Sequence, residues 1–368
     1  MSAFAPARVT DLLDRIHQEL DSGNITAGQV AIGLHGEVVL FEAFGAATTD
    51  DRLVIYSATK PLVAMALLPH LADGSLDLTA PVARYLPEFG HHGKHDVTVL
   101  QVLTMQGGFA QAPIGPGAWG TSEGRRAQFA KWSLDYPAGS ATEYHPVSAH
   151  WVIAELLETL NGRHYLDVVH DRVFRPAGVG RILGPEVGTA LPVRAHGQYP
   201  DDRDGLIATF GRPDLVPTAS IGPEALLSMN DRRAQVVGVP GGGAIATAAE
   251  IARVYQQFLH NTGGALPDDW LADARGTIRN GSVSVSDKVP ANRTIAAYLS
   301  GNDGYHLHRW MPPTPRAFGH AGAGGQLCWA DPDTGLSFAF LHDTLHQDPR
   351  VEFRRAADIN DLALAVVR

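Results

Sequence analysis

The two ends of the chain carry apolar patterns that predict a sheet flanked by helices. Apolar side chains recur at helical spacing over about residues 7–21 and again over about Val351–Val367, so each end carries an amphipathic helix. Strand signals occur close to both ends, and two of them form a hairpin around residues 331–335. The predicted strands are Gln29–Leu34, Glu37–Phe44, Arg293–Leu299, Tyr305–Trp310, Gln326–Ala330 and Leu336–His342.

The middle of the chain predicts helices joined by loops rich in glycine and proline. Ser57 opens an apolar run that predicts a helix ending near Asp73-Gly74, where a glycine suits the C-terminal cap. Residues 107–120 predict a loop, and residues 180–240 predict a long irregular covering segment. Further helices are predicted at Val97–Met105, Val147–Leu160 and Ala246–Leu259.

These elements predict an α+β fold that consists of a discontinuous sheet part and a helical insertion. The sheet part comprises residues 1–80 and 275–368, and the mainly helical part comprises residues 81–274. With 368 residues, the chain is long enough for two such parts. We therefore expect an antiparallel sheet assembled from both termini, with the helices of the insertion beside it.

Composition narrows the classes of protein to which the chain can belong. Hydrophobic residues make up 45% of the chain and charged residues 18%, which is ordinary for a globular protein with a sizeable core. The net charge is −10 and no basic stripe is visible, so we expect no nucleic-acid partner. There is no signal-peptide pattern and no apolar run of about 18 residues, and Cys328 is the single cysteine. We expect a cytoplasmic protein without a membrane partner.

The sequence Ser57-Ala-Thr-Lys60 is the strongest candidate for chemistry. On a helix, positions i and i+3 lie on one face about 5–6 Å apart, so an amine would stand beside a hydroxyl. A desolvated lysine can take the proton of a serine and make it a nucleophile. A serine in this place can equally cap a helix, but this spacing occurs once in the chain.

Three further motifs follow Ser57-Ala-Thr-Lys60, and together the four resemble the serine β-lactamase-like superfamily. The resemblance is to the branch of class C β-lactamases, D-alanyl-D-alanine carboxypeptidases and related esterases. It implies a β-lactamase/transpeptidase-like fold with the active site between the sheet part and the helical part. The further motifs are Pro137-Ala-Gly-Ser-Ala-Thr-Glu-Tyr144, Pro240-Gly-Gly-Gly-Ala-Ile-Ala-Thr247 and Phe318-Gly-His-Ala-Gly-Ala-Gly-Gly325.

The resemblance also implies catalytic roles. Ser57 would be the acylated nucleophile, Lys60 would hold or accept its proton, and Tyr144 would assist proton transfer. The backbone N–H groups of Ser57 and Ala323 would form the oxyanion hole, which stabilises charge that develops only in the transition state. We also expect the pKa of Tyr144 to be lowered by a neighbouring ammonium group.

Two departures from the family's motifs bear on the substrate. His320-Ala-Gly322 stands where penicillin-recognising members carry Lys-Thr-Gly, so the cation that can attract a substrate carboxylate is missing there. Tyr144-His145-Pro146 stands where the family has Tyr-x-Asn, and proline offers no side-chain amide. His320 and Gly322 are expected to line the substrate site, and His145 could act as a polar pocket residue or lie on the surface at a helix start.

The loop after residue 103 supplies the remaining pocket candidates, because relatives line the cleft with a glycine-rich loop in this place. These candidates are Gln106, Phe109, Gln111 and Trp119. The two aromatic residues can alternatively cover the core of the helical part.

The 17 histidines raise the question of a metal site. His91, His92 and His95 lie close together, and His342 and His346 are four residues apart. Neither spacing matches a zinc pattern, and the first cluster lies in a polar loop. We expect no metal and no other cofactor.

These observations predict a serine hydrolase, and a carboxylesterase for small or medium acyl esters is the preferred interpretation. An amidase, a D-aminopeptidase, a β-lactamase or an acyltransferase could use the same residues. A non-catalytic scaffold is disfavoured because it would not need Ser57, Lys60 and Tyr144 together. The expected partner is a small-molecule ester or amide, and the sequence leaves the oligomeric state open.

Overall fold

The computed structural model describes residues 5–217 and 221–367. Helices are distributed over both ranges, between strands and loops. None of the helices in the described ranges combines the length and the apolarity needed to cross a membrane. The α-helices are α1 (Pro6–Asp21), α2 (Thr59–Ala64), α3 (Leu68–Ala72), α4 (Val99–Leu103), α5 (Pro116–Trp119), α6 (Ser122–Phe129), α7 (Ser148–Asn161), α8 (Tyr165–Val169), α9 (Arg203–Phe210), α10 (Pro223–Leu227), α11 (Arg232–Val237), α12 (Ala248–His260), α13 (Asp268–Gly276) and α14 (Pro349–Ala365).

Six strands form one antiparallel sheet in the order β2-β1-β9-β8-β7-β6. Strands from the two ends of the chain meet where β1 pairs with β9, with Val30 opposite Phe340. Two short pairs stand apart, β3 with β5 and β4 with β10. The predicted α+β class with a sheet built from both termini is confirmed. The strands are β1 (Ala27–Leu34), β2 (Glu37–Gly45), β3 (Leu53–Val54), β4 (Arg194–His196), β5 (Ile245–Ala246), β6 (Tyr298–Leu299), β7 (Phe318–Gly319), β8 (Leu327–Asp331), β9 (Leu336–His342) and β10 (Thr344–His346).

The central strands are covered on both faces. Val30 belongs to a core that also contains Leu12 of α1 and Ile359 of α14, so the two terminal helices cover one face. The next residue, Ala31, belongs to the larger core with Ile251 of α12 and the helical part. Because side chains alternate between the faces of a strand, β1 and β9 are buried along their whole length. The sheet is therefore held between the terminal helices and the rest of the molecule.

Helix α12 packs on the sheet, although its sequence lies within the predicted helical part. A capping box between Thr247 and Glu250 satisfies backbone N–H groups at its start. Further along, Gln256 donates hydrogen bonds to the Ser337 hydroxyl on β9 and to the Gly335 carbonyl, both at 3.0 Å. The division into a sheet part (residues 1–80 and 275–368) and a helical part (residues 81–274) stays a proposal. Helix α12 belongs to the second range in sequence but packs on the sheet.

The helix predicted from Ser57 to Asp73 is interrupted. A 3₁₀ turn at Tyr56–Ala58 leads into α2, and a second one at Met65–Leu67 separates α2 from α3. Pro69 stands at the start of α3, where it lacks an N–H group and crowds the carbonyl of Met65 four residues earlier. The predicted start and end of this helical stretch agree with the structure, and the tightening into a 3₁₀ turn before Pro69 was not predicted.

The strand predicted at Tyr305–Trp310 is also wrong, because this segment forms a loop with a 3₁₀ turn at Leu307–Arg309. The buried Arg309 side chain holds the loop together by an ion pair with Asp303 at 2.6 Å and a hydrogen bond to the Pro290 carbonyl at 2.9 Å. In the preceding predicted strand, Arg293–Leu299, only Tyr298–Leu299 is a strand.

Two stretches predicted to be irregular contain short helices. The loop at residues 107–120 includes α5, and the segment at residues 180–240 includes α9, α10, α11 and strand β4. The side chains of Asp202 and Asp231 cap α9 and α11, which are start signals that the sequence interpretation overlooked. Residues 218–220 of this segment lie outside the described residues.

The buried ion pairs of Arg125 predict a large contribution to stability. The Arg125 side chain is almost fully buried and binds Glu155 at 2.9 Å and Glu158 at 2.6 Å, which joins α6 to α7. Arg125→Met leaves buried carboxylates without this partner, so we expect the free energy of unfolding to fall by about 3–5 kcal/mol. Urea unfolding followed by circular dichroism measures the change.

Arg8→Met is the matched control because the pair between Arg8 and Asp11 is exposed on both sides. Its expected effect is at most about 1 kcal/mol. Equal effects of the two substitutions would contradict a stabilising role for the buried pair.

Candidate active site

Ser57 lies in a tight turn between β3 and α2. Tyr56, the residue before it, adopts a left-handed conformation with φ 47°, which is uncommon for a non-glycine residue. The Thr59 hydroxyl fixes the turn because it donates to the Tyr56 carbonyl at 2.6 Å and accepts from the Ala244 N–H at 3.1 Å. Ser57 keeps partial exposure at the head of a buried helix, which leaves its hydroxyl accessible.

Lys60 lies one turn after Ser57, and its side chain is almost completely buried. Its Nζ is 3.1 Å from Ser57 Oγ, 2.9 Å from the Pro146 carbonyl oxygen and 2.7 Å from the Gly241 carbonyl oxygen. Burial holds the pKa of Lys60 well below its usual value, and the Arg293 guanidinium lowers this pKa further. A neutral amine has two N–H groups and one lone pair. The two carbonyls can accept both N–H groups, which leaves the lone pair for the Ser57 proton.

Tyr144 approaches Ser57 from the helical part. Its hydroxyl donates to Ser57 Oγ at 2.8 Å, and Lys60 Nζ lies 4.9 Å from the centre of its ring. Burial raises the pKa of Tyr144 above its usual value, which is opposite to the direction expected from the sequence. A protonated phenol is therefore the resting form, and it can donate a hydrogen bond to an oxygen that becomes negative.

The segment after β7 forms the opposite wall. Gly322 lies so close to the turn before Ser57 that an added Cβ would overlap the Ile55 carbonyl oxygen. Within the described ranges, the backbone N–H groups of Ser57 and Ala323 make no hydrogen bond to another residue. Two free N–H donors on facing segments are what an oxyanion hole requires.

The loop that carries Ala323 is fixed from behind. Gly324 and Gly325 have φ values of 82° and 89°, which only glycine adopts easily. The buried Arg355 of α14 donates from Nη2 to the Gly324 carbonyl at 2.7 Å. The Gln326 side chain bonds the backbone N–H and carbonyl of His342 on β9, both at 2.9 Å. The terminal helix and the sheet together hold this wall in place.

His320 packs against the tyrosines of the site. Its ring centre is 4.9 Å from that of Tyr298 and 5.9 Å from that of Tyr144. Nδ1 donates to the Ala321 carbonyl at 2.7 Å, so the other ring nitrogen, Nε2, is the acceptor, and it has no partner within the described residues. Burial lowers the pKa of His320 well below its usual value, and the charge of Arg293 lowers it further. His320 is therefore neutral and does not replace the charge of a lysine.

His145 is buried and holds the backbone rather than facing the cleft. Its Nδ1 donates to the Glu143 carbonyl at 2.7 Å, and its Nε2 accepts from the Phe109 N–H at 3.2 Å. Burial lowers the pKa of His145 to about 4. Both ring nitrogens are occupied by backbone groups, so neither is available to a substrate.

The other pocket candidates divide between the core of the helical part and the surface. Phe109 is fully buried and stacks on Trp132 in the core of the helical part, with ring centres 5.8 Å apart. Trp119 stacks on Trp151 in the same core, at 6.1 Å. Gln106 is partly exposed beside Gly139, and Gln111 is exposed near Glu143. The structure thus brings Ser57, Lys60, Tyr144, His320 and Gly322 together, whereas it places Phe109 in the core and packs the partly exposed Trp119 against it.

Arg293 and Tyr298 were missed by the sequence interpretation. The Arg293 guanidinium carbon lies 3.9 Å from the ring centre of Tyr298 and 5.3 Å from that of Tyr144. The sequence placed both residues in a strand with no chemical signal. Gly241, whose carbonyl binds Lys60, did have a signal, because it belongs to the glycine-rich motif that starts at Pro240.

The described residues contain no group of three or more His, Cys, Asp or Glu side chains that could hold a metal ion. His95 contacts Asp96 on the surface, and both side chains are largely exposed.

Comparison with known proteins identifies a matching family and several similar chains. The β-lactamase family model matches residues 12–361. The chain is 26% identical to Esterase/beta-lactamase LipL of Mycobacterium tuberculosis over 317 residues, which cover 81% of this chain and 70% of LipL. It is 27% identical to Esterase EstB of Burkholderia gladioli over 381 residues, which cover 94% of this chain and 92% of EstB. The structure of EstA from Arthrobacter nitroguajacolicus Rue61a has the same fold, with a TM-score of 0.78 over 100% of both chains at 22% identity.

The close contact at Gly322 gives a testable prediction. In Gly322→Ala the new Cβ would push the Ala323 segment away from Ser57, so we expect a loss of about 1–3 kcal/mol in the free energy of unfolding. We also expect the rate of reaction with a fluorophosphonate probe to fall at least about 100-fold, because one oxyanion donor is displaced. Gly281→Ala is the control, since the nearest atom to its Cβ is Ile278 Cγ2 at 3.6 Å. A fully reactive Gly322→Ala variant would contradict the proposed wall.

Proposed function

The chain belongs to the β-lactamase family, and on this basis we propose that it is a serine carboxylic ester hydrolase with Ser57 as its nucleophile. The observation that carries the proposal is that Ser57 Oγ lies within hydrogen-bond distance of both Lys60 Nζ and the Tyr144 hydroxyl. The relatives LipL and EstB both carry the name esterase, which favours esters among the substrates that such a site could take, and the name of LipL also includes β-lactamase.

Acylation begins with the neutral amine of Lys60. The lone pair of Nζ takes the Ser57 proton while Oγ attacks the ester carbonyl carbon. Tyr144 donates a hydrogen bond to Oγ in the resting state, which orients the lone pairs of this oxygen. The negative charge that develops on the carbonyl oxygen is stabilised by the N–H groups of Ser57 and Ala323.

The proton then passes to the leaving alcohol. Tyr144 gives its phenolic proton to the alkoxide and recovers a proton from the Lys60 ammonium, which restores both groups to their neutral forms. The C–O bond of the ester breaks and the acyl group stays on Ser57. In the second half, water attacks the acyl-enzyme, Lys60 with Tyr144 removes a proton from the water, and Ser57 Oγ leaves with that proton. The balance is one ester and one water in, one alcohol and one acid out.

The same residues could act on an amide, on a β-lactam, or on an acyl-enzyme attacked by a second alcohol. In each case the nucleophile is unchanged, and only the leaving group or the acceptor differs. Turnover of a nitrocefin probe, and product analysis with an added alcohol, separate these alternatives from ester hydrolysis. A scaffold without catalysis would show none of these reactions.

Replacement of the nucleophile tests the proposal directly. We expect the wild-type protein to react covalently with a fluorophosphonate probe and to hydrolyse p-nitrophenyl esters of short and medium chain length. Ser57→Ala removes the attacking oxygen, so we expect no labelling and a loss of turnover of at least about 1,000-fold. Mass spectrometry of the labelled protein identifies the modified residue.

Ser133→Ala is the matched control, because Ser133 is exposed and lies in a loop of the helical part. It should label and turn over like the wild type. Undiminished ester turnover by Ser57→Ala would overturn the mechanism, and the absence of both reactions in the wild type would favour a scaffold.

The lowered pKa of Lys60 predicts the pH dependence of acylation. The amine is the base, so the reactive form exists above this pKa and is lost as the pH falls through it. The pKa of Lys60 lies well below that of an ordinary lysine, about 10.4. The rate of acylation should therefore reach its plateau below pH 10. At alkaline pH the raised pKa of Tyr144 keeps its proton available.

The measurement is kcat/KM for a p-nitrophenyl ester between pH 5 and pH 10. Lys60→Met should lose about 10²- to 10⁴-fold in kcat/KM and with it the acidic limb of the profile. A rate that rises only near the pKa of an ordinary lysine would contradict a neutral Lys60.

A further inference from the structure

Arg293 differs from the other deeply buried arginines of the described ranges. Arg125, Arg309 and Arg355 each face a carboxylate, at 2.9 Å, 2.6 Å and 3.4 Å respectively. Arg293 is 4% exposed, yet no carboxylate among the described residues lies within 4 Å of its guanidinium. A buried cation is costly unless an anion or several hydrogen bonds compensate it.

The aromatic neighbours compensate part of this cost. The Arg293 guanidinium covers the ring of Tyr298 and reaches that of Tyr144, and Nη2 donates to the Tyr298 hydroxyl. A guanidinium has five N–H donors in a fixed plane, and this is its one side-chain hydrogen bond to a described residue. Most of its donors therefore have no protein acceptor.

The unused donors keep contact with solvent. Arg194 and Arg309 each have a buried Nε without a partner, whereas no nitrogen of Arg293 is both buried and unpartnered. The one acidic residue on the adjacent turn, Asp287, already accepts a hydrogen bond from the Ser284 hydroxyl at 2.9 Å. Arg293 is thus a rigidly held cation, open on one side, next to the tyrosine that touches Ser57.

Its surroundings offer no other charge that would bind an anion. His320 is neutral, because both burial and the Arg293 guanidinium disfavour its protonation. His145 is neutral and occupied on both nitrogens. The strand position that would hold a lysine in penicillin-recognising proteins is taken by His320, so Arg293 is the cation that remains beside the nucleophile and its partners.

We propose that Arg293 binds a carboxylate carried by the substrate, so that the substrates are esters with a free carboxylate a few bonds from the scissile carbonyl. Such compounds include half-esters of dicarboxylic acids and esters of hydroxy acids. A planar guanidinium pairs with a carboxylate through two parallel hydrogen bonds, which a stacked and immobile arginine offers without further ordering. The inference rests on the proposed ester hydrolase function and defines its substrate class.

The test compares esters that differ only in a carboxylate. Mono-p-nitrophenyl adipate is paired with p-nitrophenyl hexanoate for the acyl side, and 4-acetoxybenzoate is paired with its methyl ester for the alcohol side. We expect the wild type to favour the carboxylate in one pair by about tenfold or more in kcat/KM, as a charged hydrogen bond of ordinary strength gives. Arg293→Gln should abolish this preference, and Arg293→Lys should keep part of it.

Three controls test whether the change in preference comes from binding of the carboxylate by Arg293. Arg279→Gln removes a cation from the same segment, but Arg279 is paired with Asp273, so the preference should persist in this variant. Thermal unfolding of each variant shows that the fold is retained, and Arg293→Lys serves if the glutamine variant does not fold. Inhibition of hexanoate turnover by free adipate should weaken about tenfold in Arg293→Gln, which reports on binding separately from chemistry.

The outcomes separate the inference from the function on which it rests. A loss of the carboxylate preference in Arg293→Gln, measured as the ratio of kcat/KM for the charged ester to kcat/KM for the neutral ester, supports the proposal at any level of neutral-ester turnover. An equal loss for neutral and charged esters overturns it and gives Arg293 a purely electrostatic effect on Lys60 and Tyr144. The absence of any preference in the wild type also overturns it, while Ser57-dependent turnover of p-nitrophenyl hexanoate still supports the hydrolase. No turnover of any ester removes the hydrolase proposal itself.

Discussion

The burial of the Lys60 amine is the constraint on which the site depends. Nζ has three oxygen neighbours, and two of them are the carbonyls of Pro146 and Gly241, which come from distant parts of the chain. A charged amine in this place would need an anion, whereas a neutral one is satisfied by two acceptors and one donor. The segments before α7 and after α11 must therefore close around α2 before Ser57 has the base that we propose for it. Folding of the helical part and activation of the nucleophile are the same event in physical terms.

The oxyanion wall depends on the other end of the molecule. Ala323 is positioned by backbone conformations that require glycine and by Arg355, which reaches the Gly324 carbonyl from α14. Arg355 is itself held by Glu19 of α1, so the two terminal helices and their ion pair lie behind the catalytic cleft. The terminal helices thus do more than cover the sheet. They transmit their packing to a loop whose N–H direction must be accurate to be useful in catalysis.

Local rules account for the part of the site that the sequence predicted. Ser57 and Lys60 are three residues apart on a helical turn, and the order of motifs was enough to add Tyr144 and His320. Arg293 was not predictable, because its role arises from contacts with two tyrosines that the fold, and not the sequence spacing, brings to it. Phe109 was left as either a pocket or a core residue for a related reason: aromatic residues in a loop look the same in sequence whether they line a cleft or fill a core. Local patterns likewise predicted β1, β9 and α14. They failed where a long-range contact determines the local structure, as in the loop held by Arg309.

The position of positive charge distinguishes this cleft from a penicillin-recognising one. A histidine at position 320 that is buried, bonded to a carbonyl and close to the Arg293 guanidinium stays neutral, so the strand beside the nucleophile contributes shape and one acceptor nitrogen instead of charge. The charge lies on Arg293, where it stacks on Tyr298 and Tyr144 and so acts on the proton-transfer group as well as on the approach to it. A lysine could not make this arrangement, because stacking needs a planar cation. A cleft that lacks the lysine at position 320 can therefore still bind an anion, because Arg293 supplies the cation from a different segment.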